Sequence, residues 1–230
     1  MADSSDRAAR LEALTGALVH RFNNVLMGIQ THVEVIKRTG KDNERILGSA
    51  TQIESALRRA RTVMSEIMRL VRPQMINTTP IAVDKWFEML RDDLQPFATS
   101  PITLTFNPGE ALVISGDRDQ LSRVIASLVT NAVEALPNGG KVSVSARAVA
   151  SGVELAVADT GSGMDPEILA HVFDPLFTTK RNSAGLGLSI AQQIVEAHGA
   201  MMSIESAPGT GTKVSLVIPS AAEGDGPGRR

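Results

Sequence analysis

Residues 157–166, VADTGSGMDP, are the most informative stretch for the fold of the C-terminal part of this chain. An apolar, strand-like run leads into Asp159, and glycines follow at Gly161 and Gly163. Because glycine has no Cβ, such positions can adopt positive φ or let the backbone approach a ligand closely. An aspartate followed by glycines is often only a turn, so the neighbouring motifs must decide its meaning.

Two further stretches stand around it. Residues 127–135, SLVTNAVEA, have a helical pattern in which Asn131 is a polar residue among apolar ones. Residues 182–200, NSAGLGLSIAQQIVEAHGA, place Gly185, Leu186 and Gly187 ahead of an amphipathic helix. The N-terminus of a helix presents free N–H groups and binds anions such as phosphate. Taken singly, an asparagine on a solvent face and a glycine-rich loop of no special use remain open alternatives.

The N-terminal third has a different pattern. Apolar residues three and four apart predict a helix over residues 6–38, which Gly40 ends. A heptad pattern from Ile46 to Val71 predicts a second helix, which Pro73 ends. The narrow apolar stripes favour a helical hairpin that dimerises into a four-helix bundle. The alternative is a hairpin that lies on its own C-terminal domain. The stripe of the first helix consists of Leu11, Leu14, Leu18, Phe22, Val25, Ile29, Val33 and Ile36.

From about Thr78 onward, short β-like runs alternate with three helical segments, at residues 84–93, 117–136 and 186–198. This mixture predicts an α+β sandwich with a largely antiparallel sheet. The expected organisation is a helical domain over residues 1–76, an α+β domain over 77–220 and a disordered tail over 221–230.

Composition narrows the class of protein. The 230 residues are 43% hydrophobic, carry a net charge of −2 and include no cysteine. Disulfides and cysteine nucleophiles are therefore excluded, and no basic field indicates nucleic acid as a partner. No apolar run approaches the roughly 20 residues that a membrane helix needs, so we expect a cytoplasmic protein without a membrane segment.

In their order and spacing, the three C-terminal stretches resemble the N, G1 and G2 boxes of the sensor histidine kinases of two-component signalling. FDPLFTTK, residues 173–180, resembles the F box, and GTGT, residues 209–212, resembles the last glycine box. The resemblance extends from about Thr78 to Pro219. It implies the Bergerat fold, which this family shares with gyrase-type and heat-shock chaperone ATPases.

The resemblance also implies ATP and Mg²⁺ as cofactors. Asp159 would accept a hydrogen bond from the adenine amino group, and Asn131 would bind Mg²⁺. Lys180 would reach phosphate, although a solvated lysine is the more ordinary interpretation. The remaining implied residues help to hold adenine, surround the phosphates or anchor the lid: Thr212, Gly161, Gly163, Gly185, Leu186, Gly187, Phe173 and Phe177.

With such a domain behind it, ALVHRFNNVL, residues 17–26, resembles the H box. His20 lies about 200° around the helix from Leu18 and so points away from the apolar stripe. The resemblance implies that a homodimer autophosphorylates His20 and passes the phosphoryl group to an aspartate on a response regulator receiver domain. Asn24 matches a position that orients water when the regulator is dephosphorylated. The alternative for His20 alone is an exposed histidine without a role.

Two residues depart from the family pattern. Arg21 stands where an acidic residue usually accepts the other imidazole proton, so we expect slow or partner-dependent autophosphorylation. Ser127 stands where kinases carry an asparagine that assists the metal. The second hypothesis is therefore a kinase-impaired phosphotransfer or scaffold protein that keeps the bundle. A hydrolytic ATPase or a protein-serine kinase is the third, and the absence of a glutamate at position 127 argues against the ATPase.

Overall fold

We analysed a computed structural model of the chain, which describes residues 2–71, 75–97, 99, 101–180 and 183–219, with side chains from Leu14 onward. The chain forms two compact units, Met1–Pro73 and Gln74–Arg230. The predicted tail, Pro73 as a helix end and Asn182 lie outside the described residues.

The first unit is a helical hairpin. Helix α1 spans Ala2–Thr39 and helix α2 spans Glu44–Val71, so both predicted helices form and α1 begins earlier than predicted. Gly40 donates its N–H to the carbonyl of Ile36 at 2.8 Å, and the side chain of Asn43 caps α2. Within the described residues, no helix is long and apolar enough to span a membrane.

The two helices cover only part of their apolar stripes. Val33, Ala50 and Leu57 are buried between them, and Leu26 packs against this small cluster. Many other members of the predicted stripe are exposed on the single hairpin, and an exposed apolar patch of this kind marks a surface that another molecule covers. The exposed members are Leu14, Leu18, Phe22, Val25, Ile29 and Ile36 on α1, with Ile46 and Ile53 on α2.

The second unit contains two sheets in its described part. In the small sheet, β1 (Thr79–Ala82) pairs antiparallel with β3 (Val113–Gly116). The five-stranded sheet has the order β2-β4-β5-β7-β6. Its strands are Ile102–Asn107 (β2), Gly140–Val149 (β4), Gly152–Asp159 (β5), Met201–Ala207 (β6) and Gly211–Ile218 (β7). Strands form in the region where the sequence shows β-like runs, and the five-stranded sheet is antiparallel apart from the parallel pair β2–β4.

Three helices lie in the predicted segments: α3 (Val83–Leu94), α4 (Arg118–Glu134) and α6 (Gly187–Ala197). Two elements were not predicted, the short helix α5 (Pro166–Leu169) and a 3₁₀ turn at Gln95–Phe97. Alternate residues of β5, such as Leu155 and Val157, belong to one core with apolar residues of α4 and α6. This packing of helices on a sheet is the predicted sandwich.

The opposite side of β5 carries a charged residue. Glu154 is 6% exposed and lies close to Arg147, while Lys213 and Ser215 donate hydrogen bonds to it at 3.0 and 2.9 Å. Burial raises the pKa of Glu154, but the hydrogen bonds from Arg147, Lys213 and Ser215 outweigh burial and lower that pKa to about 2. Glu154 therefore ties three adjacent strands together.

His198 ties two helices together. Its Nε2 accepts the backbone N–H of Asp117 at 2.9 Å, at the start of α4. Its Nδ1 donates to the carbonyl of Ile194 at 2.7 Å, at the end of α6. Both ring nitrogens are occupied, so this histidine has a structural role in the neutral form.

Candidate functional site

A cavity of about 450 Å³ lies in the second unit between α4, the end of β5 and the segment before α6. It collects residues that are up to 86 positions apart in the chain, from Leu128 to Val214, and most of the predicted site residues line it. These are Asn131, Asp159, Gly163, Lys180, Gly185, Gly187 and Thr212. A larger open groove of about 900 Å³ runs along β1 and α3, and none of the predicted site residues lines it.

Asp159 ends β5 and faces the cavity. Its Oδ1 accepts the backbone N–H groups of Gly161 at 2.8 Å and Thr212 at 3.3 Å. Within the described residues, Oδ2 has no hydrogen-bond partner. Burial raises the pKa of this carboxyl, against the lowering effect of the two N–H groups and of Lys180. The result is a carboxylate with one oxygen fixed and the other available to a donor.

The hydroxyl of Thr212 is oriented by a neighbour that the sequence did not indicate. Ser206 accepts the backbone N–H of Met164 at 3.0 Å and donates to the carbonyl of Gly211 at 3.0 Å. Because the single hydroxyl proton of Ser206 is used there, the 2.9 Å contact with Thr212 Oγ1 has Thr212 as its donor. The lone pairs of Thr212 are thus directed to accept. Only the pairing of β6 with β7 brings Ser206 to this place.

The loop after Asp159 needs glycine at two positions for different reasons. Gly163 has φ +63°, and a Cβ there would lie 1.9 Å from the carbonyl oxygen of Ala207. Gly161 does not line the cavity but donates to Asp159, and a Cβ there would lie 2.6 Å from the carbonyl oxygen of Ala135. The glycines hold this loop tightly against its surroundings.

The segment before α6 forms another wall. Gly185 and Gly187 line the cavity, and Gly187 is the first residue of α6. Leu186, which we predicted in the site, does not line the cavity: it is 1% exposed and fills the core at the N-cap of α6. Phe177 lines the cavity and lies beside the ring of His171, at 5.6 Å between centroids, whereas Phe173 is half-buried away from the lining.

At the other end of the cavity lies a positively charged side chain, that of Lys180. The ammonium of Lys180 donates to Asn131 Oδ1 at 3.1 Å and to a carboxylate oxygen of Glu134. Within the described residues, no group of three or more His, Cys, Asp or Glu side chains could hold a metal by itself. Mg²⁺ usually binds to one or two protein oxygens together with phosphates and water. A cation held by an amide and a carboxylate oxygen shows that the residues present fit such an ion.

His20 lies on the first unit, exposed on α1. The side-chain amide of Asn24, one turn along, lies 3.5 Å from His20 Nδ1. Nε2 has no partner among the described residues, and neither has the exposed side chain of Arg21. A free Nε2 on a solvent-facing helix is open to a reagent.

The other three histidines differ from His20. His171 Nδ1 is paired with Asp174 at 2.7 Å, and His198 caps two helices. His32 is exposed on α1, twelve residues beyond His20, and has no hydrogen bond among the described residues. His32 is therefore a matched control for His20.

Comparison with known proteins agrees with this geometry. Residues 116–222 match the family model described as histidine kinase-, DNA gyrase B- and HSP90-like ATPase. The sensor histidine kinase ZraS of Klebsiella oxytoca is 34% identical over 93% of this chain and 47% of its own length. Sporulation kinase C of Bacillus subtilis (strain 168) is 28% identical over 95% of this chain and 51% of its own length. The chain thus spans about half the length of these relatives.

Solved structures show the same fold. Full-length ShkA, in a complex with AMPPNP, superposes with a TM-score of 0.74 over 91% of this chain and 47% of its own, at 21% identity. The mycobacterial sensor histidine kinase MprB superposes with a TM-score of 0.55 over 62% of this chain and 97% of its own, at 26% identity. Residues 116–222 therefore carry the histidine kinase-, DNA gyrase B- and HSP90-like ATPase domain, and the chain is similar to sensor histidine kinases over 93% of its length.

Proposed function

We propose that this chain is a histidine kinase core that transfers the γ-phosphoryl group of ATP to His20 and then to an aspartate of a response regulator receiver domain. The observation that carries the proposal is Asp159, whose Oδ1 is held by two backbone N–H groups while Oδ2 is left for a donor such as the adenine amino group. The open Nε2 of His20 on the hairpin supplies the acceptor.

In the first step, the Nε2 lone pair of a neutral His20 attacks the γ-phosphorus, the bond to the β–γ bridging oxygen breaks and ADP leaves. Phosphoryl transfer of this kind depends mainly on positioning and on charge stabilisation. Bound Mg²⁺ would supply the charge that offsets the phosphate oxygens. Asn131 would contribute an amide oxygen to it, and the glycine segment at the start of α6 would offer backbone N–H groups to the phosphates. In the second step, a carboxylate oxygen of the regulator attacks the same phosphorus and His20 is released.

The nucleophile requires the right tautomer. For Nε2 to attack, the imidazole proton must be on Nδ1, and an acceptor on that side favours this form. Arg21 cannot accept a proton. The amide nitrogen of Asn24 lies 3.5 Å from Nδ1, and after a half-turn of the amide its oxygen can accept a hydrogen bond from the Nδ1 proton. A neutral amide is a weaker acceptor than a carboxylate, which supports the prediction of slow autophosphorylation.

We also propose a homodimeric four-helix bundle. The apolar side chains left outside the hairpin, among them Leu18, Phe22 and Ile53, form the stripe that a second copy would cover. Sedimentation equilibrium of the wild type and of Phe22→Lys tests this. A dimer that the substitution converts to a monomer supports the bundle, and a monomeric wild type contradicts it.

The alternative is a phosphotransfer or scaffold protein with little kinase activity, which Arg21 favours because the usual proton acceptor is missing. Asn24 matches the position that, as the family resemblance implies, orients water when the regulator is dephosphorylated. The predicted cytoplasmic location stays a prediction.

Incubation with γ-labelled ATP and Mg²⁺ tests the proposal. Wild type and His32→Ala are expected to acquire acid-labile, base-stable label, and His20→Ala is not. Arg21→Glu is expected to label faster, because a carboxylate then accepts the Nδ1 proton. The label is expected to move to an added receiver domain. Bound ATP without label would leave the phosphotransfer alternative, and no ATP binding would contradict both the kinase proposal and the assignment of the glycine segments to a nucleotide site.

A further inference from the structure

The ammonium of Lys180 lies between Asn131 and Glu134, and the family resemblance assigned no role to Glu134. Asn131 and Glu134 lie three residues apart on α4, so their side chains share one face of the helix. The Lys180 ammonium bonds to an oxygen of each. All three side chains line the cavity. A compact positive charge is therefore held between a neutral oxygen and an anionic one, inside the cavity.

One helical turn before Asn131, Ser127 has only a hydroxyl to offer. A Cβ at Gly187 would lie 3.2 Å from Ser127 Oγ, so this hydroxyl faces the start of α6 closely. The side chain at position 127 is thus short and adjoins another element. With Ser127 in place of the asparagine that the family pattern has there, α4 offers Mg²⁺ only one amide oxygen, that of Asn131. The carboxylate of Glu134, three residues beyond Asn131, is an additional candidate oxygen ligand on the same face.

Magnesium prefers hard oxygen ligands and tolerates very few from the protein when phosphates supply the rest. Glu134 satisfies this preference better than a hydroxyl does, because its oxygen carries charge. The contact with Lys180 does not prevent exchange: the side chains of Lys180 and Glu134 are 38% and 50% exposed, and ion pairs this exposed contribute little. An arriving ion with two charges can displace the ammonium at small cost.

We propose that Glu134 is a second protein ligand of the Mg²⁺ that accompanies ATP, compensating for Ser127, with the Lys180 ammonium standing in for the ion in this structure. The inference rests on the proposed ATP site. The Glu134 proposal concerns the metal, whereas the ATP site rests on recognition of the adenine base, so an experiment can refute one proposal without the other.

The test measures the binding of a fluorescent ATP analogue to the full chain, first in EDTA and then over a Mg²⁺ titration. Glu134→Gln keeps the shape of the side chain and removes its charge. We expect it to bind the analogue in EDTA as the wild type does, and to need at least about 10-fold more Mg²⁺ for the metal-dependent gain in affinity. Glu196→Gln, which changes an exposed carboxylate on α6, is the matched control and should behave as the wild type.

A second variant makes the result specific. Adding Ser127→Asn to Glu134→Gln supplies an amide oxygen at the neighbouring position and should lower the Mg²⁺ requirement again. A Mg²⁺ requirement of Glu134→Gln equal to that of Glu196→Gln would overturn the assignment of Glu134. If the wild type binds no analogue in EDTA or in Mg²⁺, the proposed ATP site itself is refuted.

Discussion

Replacing Asp159 with asparagine separates recognition of the nucleotide from stability of the fold. The amide oxygen of the asparagine can still accept the N–H groups of Gly161 and Thr212, so the loop is kept. The side-chain NH₂ group of the asparagine then takes the place of Oδ2, so that one N–H donor faces another, the amino group of adenine. A lost charge-assisted hydrogen bond and an unpaired donor together cost about 3 kcal/mol, which is roughly a 100-fold weaker Kd.

Isothermal titration of the wild type and of Asp159→Asn with ADP and Mg²⁺ measures this loss. The control is Asp165→Asn, an exposed position on the same loop whose side chain makes no capping hydrogen bond. The free energy of unfolding should not fall, because burial already disfavours the charged form of Asp159. An Asp159→Asn protein that is equally stable and binds ADP with wild-type affinity would refute the role assigned to Asp159.

The pH dependence follows from the same carboxyl. Because burial raises its pKa, Asp159 begins to be protonated at a higher pH than an exposed aspartate as the solution is acidified. A proton on Oδ2 turns the acceptor into a donor, so ADP affinity should fall on acidification. Titrations from pH 7 downward test this, and an affinity that stays constant while the fold remains intact would contradict it.

Three predictions concern stability. Glu154→Gln should lower the free energy of unfolding at pH 7 by about 1–3 kcal/mol, since a pKa of about 2 against 4.5 is worth at most about 3 kcal/mol. Urea denaturation should show the full difference between the two proteins above pH 4.5, and the difference should disappear toward pH 2. A difference that does not depend on pH would contradict this prediction. Gly163→Ala should abolish ADP binding and destabilise the fold by more than Gly199→Ala, whose Cβ meets nothing within 4 Å at a similar φ of +65°; calorimetric melting compares them, and equal losses would refute the steric argument. His198→Ala should cost about 1–3 kcal/mol by leaving the N–H of Asp117 unpaired, while the carbonyl of Ile194 keeps the backbone N–H of residue 198. Thermal unfolding checks this, and an unchanged melting temperature would count against it.

Local patterns in the sequence were sufficient for most of the fold. Periodicity located the two hairpin helices, the seven described strands and the three longer helices of the second unit, because apolar spacing reports directly on which face is buried. The parallel pairing of β2 with β4 was not predicted, since the two strands are separated by β3 and α4 and pairing is a long-range property. Helix α5, with four residues, is too short to show a period.

The candidate site was predicted where a motif carried it and missed where folding created it. Asp159, Asn131 and Thr212 line one cavity, as the order of the motifs indicated. Ser206 reaches Thr212 only through the β6–β7 register. Leu186 belongs to a glycine motif, yet its apolar side chain is buried in the core.

The proposed metal ligand Glu134 was not predicted from the sequence, although the sequence carries a signal for it. It lies three residues beyond Asn131, and that spacing places two oxygen donors on one helical face. This spacing indicates a cation site only together with the structure, in which the Lys180 ammonium lies between the two side chains.

We expect ATP to phosphorylate His20 on Nε2, the ring nitrogen without a partner among the described residues. The most direct test is ³¹P NMR of the ATP-treated protein at alkaline pH, where phosphohistidine is stable, combined with mass spectrometry of the peptide that contains His20. Because Asn24 lies against Nδ1, we expect a single phosphoryl group on Nε2 of His20. A phosphoryl group on Nδ1, or on any other residue, would contradict it.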